Sequence, residues 1–397
     1  ILVGASGAAY GSGANKCGQL GVNNAGLEMV DKFRKCVVVD GGVGAKGEEK
    51  EENGEEEDEV AGVKIVQASC GENISAILCS KGHLYTTGSS EWGQLGNGET
   101  GEYIVTAGRL SYANCSKFLR RSNFVQSEQD ALLEKGGMPS SSTGAGKAKI
   151  IPLEDARRIR LATVSCGKNH ILAVEAASTS SEHVPRVFSW GCGDYGRLGH
   201  TVQADEYTPR MIGAFRGPLF ANNPPVEAIA GLTCSLVRTR HGHVYYFGKH
   251  RTVGEATMRP TLVDALANNG HVVTAVGAGS TTVFCCTTNG VTVSWGHGNH
   301  GELGYGKGEN KSSSKPKFVN GLDSCLVTDV ACGMAHTLFM IRNEDEEDAK
   351  ALKKVATLEL EEVAQFIEEV KSRKIAKDAE EDAEPPKKKS RGKAKKN

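Results

Sequence analysis

Long apolar runs are missing from this chain, and none approaches the roughly 18 residues that a helix needs to cross a bilayer. Proline is rare, 11 residues against 49 glycines, which favours tight glycine turns over an extended proline-rich coil. Net charge is nearly absent: 47 basic and 48 acidic residues leave −1, so no global field draws the chain to nucleic acid or membrane. The 12 cysteines contain no Cys-x-x-Cys, and several stand at equivalent points of apolar segments (Cys70, Cys166 and Cys332). That placement suits free cysteine used as a small buried hydrophobe in a reducing, cytosolic or nuclear compartment. There is no Gly-x-Ser-x-Gly, no P-loop and no repeated carboxylate pair, so the hydrolase chemistries tied to those patterns are not expected. His241/His243 and His297/His300 lie close in sequence without a matching cysteine or carboxylate set, and neither a metal nor a cofactor is expected.

What the chain does have is repetition. "SGANKCGQLGV", "YTTGSSEWGQLGNG", "VFSWGCGDYGRLGH" and "SWGHGNHGELGYG" each place a glycine five residues before Gly-x-Leu-Gly. The anchor pairs are Gly13/Gly18, Gly88/Gly93, Gly191/Gly196 and Gly296/Gly301. A degenerate copy, "VYYFGKHRTVGEATMRP", keeps the strand and loses the Leu-Gly. A second motif precedes most of these: "ASCGENISAIL", "VSCGKNHILAV" and "VACGMAHTLFM", with weaker copies at 229–237 and 276–285. The unit is strand, glycine turn, strand, short turn, aromatic strand, glycine loop. Its closest spacing, about 50 residues, is that of a propeller blade.

One copy, Gly191-Cys-Gly193-Asp-Tyr-Gly196, spells the Gly-x-Gly-x-x-Gly of a dinucleotide-binding loop. Such a loop must open a helix within a βαβ unit. Here "TVQADEYTP" follows, polar and closed by Pro209, and no amphipathic helix begins. The glycines are read as turn geometry: strands reverse within a few residues while neighbouring blades approach closely. Leu20, Leu95, Leu198 and Leu303 are expected beneath the turns, and Trp190 and Trp295 between blades. His170 and His336 share one repeat position, where Ile74 and Cys234 also occur, which indicates buried structural roles for both.

These paired motifs resemble the regulator-of-chromosome-condensation (RCC) repeat family, over Ile1 to about Ile341. The segments "LYTTGSSEWGQLGNGETGEYI", "YYFGKHRTVGEATMRP" and "SWGHGNHGELGYGKGENKSSS" are most similar to its mitotic branch, associated with the telophase disc and chromosomal passengers. The resemblance implies an all-β, seven-bladed β-propeller. Its implied partners are small GTPases and microtubule, centromere or chromatin components, with no small-molecule substrate and no membrane. The family's founder is a nucleotide exchange factor for the nuclear GTPase Ran and docks on nucleosomes; its β-wedge has no recognisable counterpart here, and no catalytic residue is carried over. Four full blades are expected, with a partial one at the start and a half-blade at the end, hence an incomplete ring. The chain opens at Ile1, within what reads as the latter part of a blade, and upstream residues are expected.

Four segments stand apart from the blades of the propeller, 1–341. Residues 41–59 form an acidic insert, read as a solvated loop. Residues 113–150 read as a long loop, in which Lys117, Arg120 and Arg121 either face an acidic partner or are simply solvated. From 344 to 377 apolar residues recur at helical spacing (Leu352, Val355, Val363, Phe366, Ile367, Val370), which indicates an amphipathic helix, docked in cis or awaiting a partner. The tail, 378–397, ends in seven Lys or Arg without an acid. Lys387, Lys388, Lys389 and Arg391 suit nuclear import or phosphate contacts, against the plainer role of solubilising tail. The functional expectation is a non-enzymatic partner-binding scaffold at the nucleus or chromosomes, shuttling to cytoplasm or cytoskeleton. A guanine-nucleotide exchange factor and a chromatin-binding module are the alternatives.

Overall fold

Alternating β-branched and aromatic residues between glycines form strands where that period implies them. A computed structural model describes residues 1–23, 27–39, 63–98, 100, 105–106, 109–110, 117–121, 124–127, 148–151, 159–178, 183–249, 256–306, 311–355, 368 and 371–372. The acidic insert 41–59, the tail 378–397 and its Lys387, Lys388, Lys389 and Arg391 lie outside the described residues.

Four sheets have the full blade order of four antiparallel strands. Blade 2 uses Ile65–Cys70, Ile74–Cys79, Leu84–Gly88 and Phe118–Arg121. Blade 3 uses Leu161–Cys166, His170–Glu175, Val187–Gly191 and Glu206–Met211. Blade 4 uses Pro225–Ala230, Cys234–Thr239, Val244–Gly248 and Thr257–Leu262. Blade 5 uses Val273–Ala278, Thr282–Thr287, Thr292–Gly296 and Ser313–Phe318. Blade 1 has three strands (Leu2–Val3, Ala9–Ala14, Met29–Lys35) and blade 6 two (Val327–Cys332, Thr337–Ile341), in separate sheets. The expectation of four full blades with partial ones at both ends is met.

The core lies between blades. Ile74, Ala76 and Leu78 of blade 2 share one buried cluster with Val164, Phe188 and Trp190 of blade 3. Second and third strands are buried on both faces in blades 3 and 5, and read as nearly continuous apolar runs. A register slip recurs near the start of every first strand of blades 2 to 6, and another beside the repeat glycines Gly13, Gly191, Gly248 and Gly296 of blades 1, 3, 4 and 5. Such bulges add twist at a fixed point of each repeat. Fourth strands of blades 3 to 5 carry Pro209, Pro260 and Pro316 at the same fourth position, which suits the sheet edge that the strands of blades 4 and 5 form.

Two sequence expectations need correction. Residues 113–150 are not one loop: Phe118–Arg121 is the fourth strand of blade 2, while Val125–Ser127 and Ala148–Ile150 extend blade 3 outward. Val38–Val39 adds in the same way to blade 2. An outer strand leaves one side of its backbone unpaired, and passing chain satisfies it. Nor is 344–377 one helix. The helix covers Glu346–Leu352, capped by Asp345, whose side chain accepts from the amides of Glu347 and Asp348. Its last turn tightens to three-residue bonds, Lys354 N–H to Ala351 O and Val355 N–H to Leu352 O, and the helix is interrupted there; Glu368, Lys371 and Ser372 are helical again, while Val363, Phe366, Ile367 and Val370 lie outside the described residues. This short helix docks in cis: Asp348 and Ala351 are buried, and Arg342 donates Nε to Asp348 at 2.7 Å.

Gly191 shows what the repeat glycines do. Its φ is +100°, and an added Cβ would lie 2.4 Å from Asn169 O and 2.8 Å from His170 Cα. Gly13, at the same repeat position with φ +114°, has nothing within 4 Å of that point. Gly191→Ala is therefore expected to destabilise by roughly 3 kcal/mol or more, from strain and collision together. Gly13→Ala is expected to cost about 1–2 kcal/mol, from backbone strain alone. Denaturant unfolding of the two variants checks the order; equal losses would contradict it.

Candidate partner-binding face

Antiparallel order puts the turn after each first strand and the loop after each third strand on one side of the propeller, here the glycine-loop face. Each loop is tied by its own residues. The side chain two after the loop's ring or thiol residue accepts that residue's amide: Gln19 from Cys17 at 2.9 Å, Gln94 from Trp92 at 2.7 Å, Glu302 from His300 at 2.7 Å. A hydroxyl on the third strand donates to the carbonyl of the buried loop leucine: Thr86 to Leu95 O at 2.7 Å, Ser189 to Leu198 O at 2.7 Å, Ser294 to Leu303 O at 3.0 Å. Trp190 reaches across to the preceding blade and donates Nε1 to Gln94 O at 2.9 Å. Gly18, Gly93, Gly196 and Gly301 have left-handed φ, as do Gly88 and Gly296 at the strand ends. Gly93 faces Tyr207 and Gly196 faces Met258, each on the next blade's outer strand.

Around the axis the first turns form an arc. A Cβ on Gly71 would meet Gly167 O at 2.2 Å, on Gly167 would meet Gly231 O at 2.3 Å, and on Gly279 would meet Gly333 O at 2.7 Å. The arc borders an open hollow of about 280 Å³, lined by the Glu72–Lys168 ion pair (3.3 Å) and by Leu232, Ser280 and Met334. The three repeat cysteines differ here. Cys166 is buried, its thiol pKa raised by that burial, and Cys332 is half-buried, its thiol pushed up to about 12 by burial. Cys70 is exposed, against expectation; its Sγ accepts from Ser75 Oγ.

The two repeat histidines also separate. His170 is fully buried, with Nε2 3.0 Å from Ser235 Oγ. Ser235 Oγ donates to Arg197 O at 2.7 Å, so His170 Nε2–H must be the donor in that pair. Burial first, then the charge of Arg197, lowers its pKa to about 3. His336, expected to be equally buried, is exposed, because among the described residues no blade packs on the outer side of blade 6. A third histidine, His200, was not singled out from the sequence. It lies buried with Nε2 2.9 Å from Ser189 Oγ, and burial followed by the Arg210 charge lowers it to about 3. Its place directly after Leu-Gly, behind a hydroxyl strand, was the available signal.

Between blades 3 and 4 the loop rule breaks. Arg197 stands where other loops have Gln or Glu, and donates Nε to Asp194 O (2.9 Å) and Nη1 to Leu232 O (3.3 Å) of blade 4. The Tyr195 amide turns to Gln203 Oε1 instead, at 3.2 Å. Tyr195 adopts φ +61°, a left-handed backbone that is an outlier for a bulky residue. Its ring lies 5.5 Å from the Arg197 guanidinium and 5.3 Å from Lys249 Nζ.

Lys117, Arg120 and Arg121 sit elsewhere, at the outer strand of blade 2, all half-buried. Arg121 donates Nε to Thr86 Oγ1 at 2.6 Å, and so supports the hydroxyl that ties the blade 2 loop. That contact assigns Arg121 to the scaffold.

The neutral histidines set an acid limit. A folded pKa near 3 against an unfolded 6.5 means the unfolded chain binds more protons between those values. Stability from His170 and His200 is complete above pH 6.5 and is lost as pH falls toward 3, on the order of a few kcal/mol each. His200→Gln keeps an N–H donor for Ser189 without titrating, and is expected to narrow the stability gap between pH 7.5 and pH 4.5 in thermal melts; an unchanged gap would contradict this.

The model of the regulator of chromosome condensation (RCC1) repeat matches residues 186–237 and 290–340. Protein RCC2 homolog of Xenopus laevis is 31% identical over 352 residues, 88% of this chain and 58% of that protein. Protein RCC2 of Homo sapiens is 32% identical over 296 residues, 74% of this chain and 50% of that protein. The chain thus spans between half and three-fifths of the length of these curated relatives. Among solved structures, human WBSCR16 aligns with a TM-score of 0.54 at 18% identity, over 84% of this chain and 68% of that one. Prp20p of Saccharomyces cerevisiae aligns with a TM-score of 0.54 at 18% identity, over 87% and 67%. Those two likenesses establish the fold, and the repeats carry the kinship: the chain belongs to the regulator of chromosome condensation (RCC1) repeat family of β-propellers.

Proposed function

We propose that this chain is a non-enzymatic propeller scaffold that binds a small GTPase on its glycine-loop face and a chromosome or microtubule partner elsewhere. The observation that carries the proposal is the face itself, where three loops are tied by their own residues and Arg197 ties the Tyr195 loop to the next blade, beside Lys249. Rigid loops on a rigid scaffold suit binding, because little ordering entropy is lost on association. Prp20p, similar in fold, is described with binding properties to Gsp1p and histones, which supports a GTPase and a chromatin component as partner classes. Similarity to RCC2 proteins supports a regulatory role in mitosis and a nuclear or chromosomal location, and the microtubule or centromere partner rests on the resemblance of the repeats alone.

Exchange activity is the competing mechanism, since an exchange factor must displace the switch loops that hold nucleotide and Mg²⁺. Labelled-GDP release from a panel of Ras-superfamily GTPases separates the two. A scaffold retains a GTPase at stoichiometric amounts and leaves release unchanged; acceleration by trace amounts would establish exchange instead, and retention of no GTPase would refute both. For the tail, Lys387–Asn397 holds seven cations, and removing it is expected to lower nucleosome retention at low salt and flatten its salt dependence. Retention unchanged by the deletion would exclude the tail as the chromatin contact.

A further inference from the structure

The repeat departs from its own rules at one place on the described glycine-loop face, and three departures meet there. Arg197 replaces the Gln or Glu that ties the other loops, and reaches instead to Leu232 O of blade 4. Tyr195 holds a left-handed φ of +61°, unlike Cys17, Trp92 and His300 at the same loop position. The loop that follows Gly248 lacks the Leu-Gly that would close it, and begins with Lys249. Sites where a sequence breaks its local rules are where function is to be sought.

The geometry is that of a seat. Tyr195 is 42% exposed, so its ring is a rigid amphipathic floor open to solvent. Arg197, only 3% exposed, supports the floor from within, its Nε and Nη1 already committed to backbone carbonyls. Lys249 Nζ stands 5.3 Å from the ring centroid and has no carboxylate within ion-pair distance among the described residues. Two acids are nearby in sequence. Asp205 Oδ1 accepts the Gly193 amide at 2.8 Å, and Asp194 is exposed in the loop and forms no ion pair with Lys249.

We propose that this junction of blades 3 and 4 seats a single carboxylate side chain from an acidic surface segment of a protein partner, which pairs with Lys249 and lies on the Tyr195 ring. The inference rests on the scaffold function proposed above and supplies the chemistry of the contact. A carboxylate fits better than a phosphate: one available ammonium neutralises one charge, whereas a phosphate dianion is best held by an arginine fork, and the Arg197 fork is turned inward. The preset ring and buried arginine leave little to be ordered when the acid arrives.

The test uses the full chain labelled with 3-fluorotyrosine, the Tyr195 fluorine line being assigned with Tyr195→Phe. Hexaglutamate is the probe, so the readout needs no GTPase, and a negative GTPase panel does not touch it. The Tyr195 line is expected to shift saturably, with affinity weakened roughly fivefold by Lys249→Gln and unchanged by Lys315→Gln on the outer strand of blade 5. Melting temperatures matching the parent protein exclude unfolding of either variant as the cause. No shift, a shift indifferent to Lys249→Gln, or a larger shift from inorganic phosphate at equal concentration would overturn the assignment. If the shift behaves as expected while every GTPase fails to bind, the seat stands and the proposed partner class falls.

Discussion

Close approach of backbone to backbone across the blade interfaces is the constraint on which this molecule depends. Along the axial arc a first-turn glycine lies against the carbonyl of the next blade's turn, with no room for a methyl group between Gly71 and Gly167 or between Gly167 and Gly231. Gly96 and Gly199 lie further out against side chains instead, the Trp190 and Phe247 rings of the following blades. Blades set this close can bury their second and third strands on both faces, and that burial supplies the core. It also forces the polar groups trapped there to find partners within the repeat. The hydroxyl-to-leucine carbonyl bond and the loop-tying carboxamides answer that demand.

The same constraint explains why residues of acid–base or nucleophilic type carry structural roles in the interior. His170 and His200 are sealed between blades as neutral donors to serine hydroxyls, with pKa values far below the ordinary imidazole range. Cys166, Cys234 and Cys285 are buried thiols whose pKa values rise because a thiolate there would lose its hydration. Where no flanking blade stands among the described residues, equivalent positions change character. His336 is exposed, and Leu338 and Met340 of blade 6 are 67% and 65% exposed, while Leu172 and Val174 at the corresponding strand positions of blade 3 are fully buried. Burial in this fold is a property of the neighbour, not of the motif.

The loop face inherits rigidity from this arrangement and gains individuality only where the repeat is broken. Three loops are tied by a Gln or Glu within themselves, and the fourth trades that tie for an arginine that crosses to the next blade. That exchange couples blades 3 and 4 and leaves an exposed aromatic ring with a half-buried lysine beside it. A regular propeller provides the platform, and the irregular copy provides what a partner could distinguish.

Sequence alone determined the strand pattern, the four full blades with partial ones at either end, the buried leucines and the inter-blade tryptophans. Each follows from a period of two bounded by glycines and repeated at blade spacing, which is local information. The same local information misassigned Phe118–Arg121, Val125–Ser127 and Ala148–Ile150, because short outer strands are recruited by an open sheet edge and need no apolar alternation. It also ran a helix unbroken through Lys353–Val355, and treated His170 with His336, and Cys70 with Cys166, as equals. Tertiary structure decided those cases, and it alone brought Tyr195, Arg197 and Lys249 together. The physical reason is common to all: which side of a strand is covered, and which cation meets which ring, depends on the blade next door, and no window along one repeat contains that neighbour.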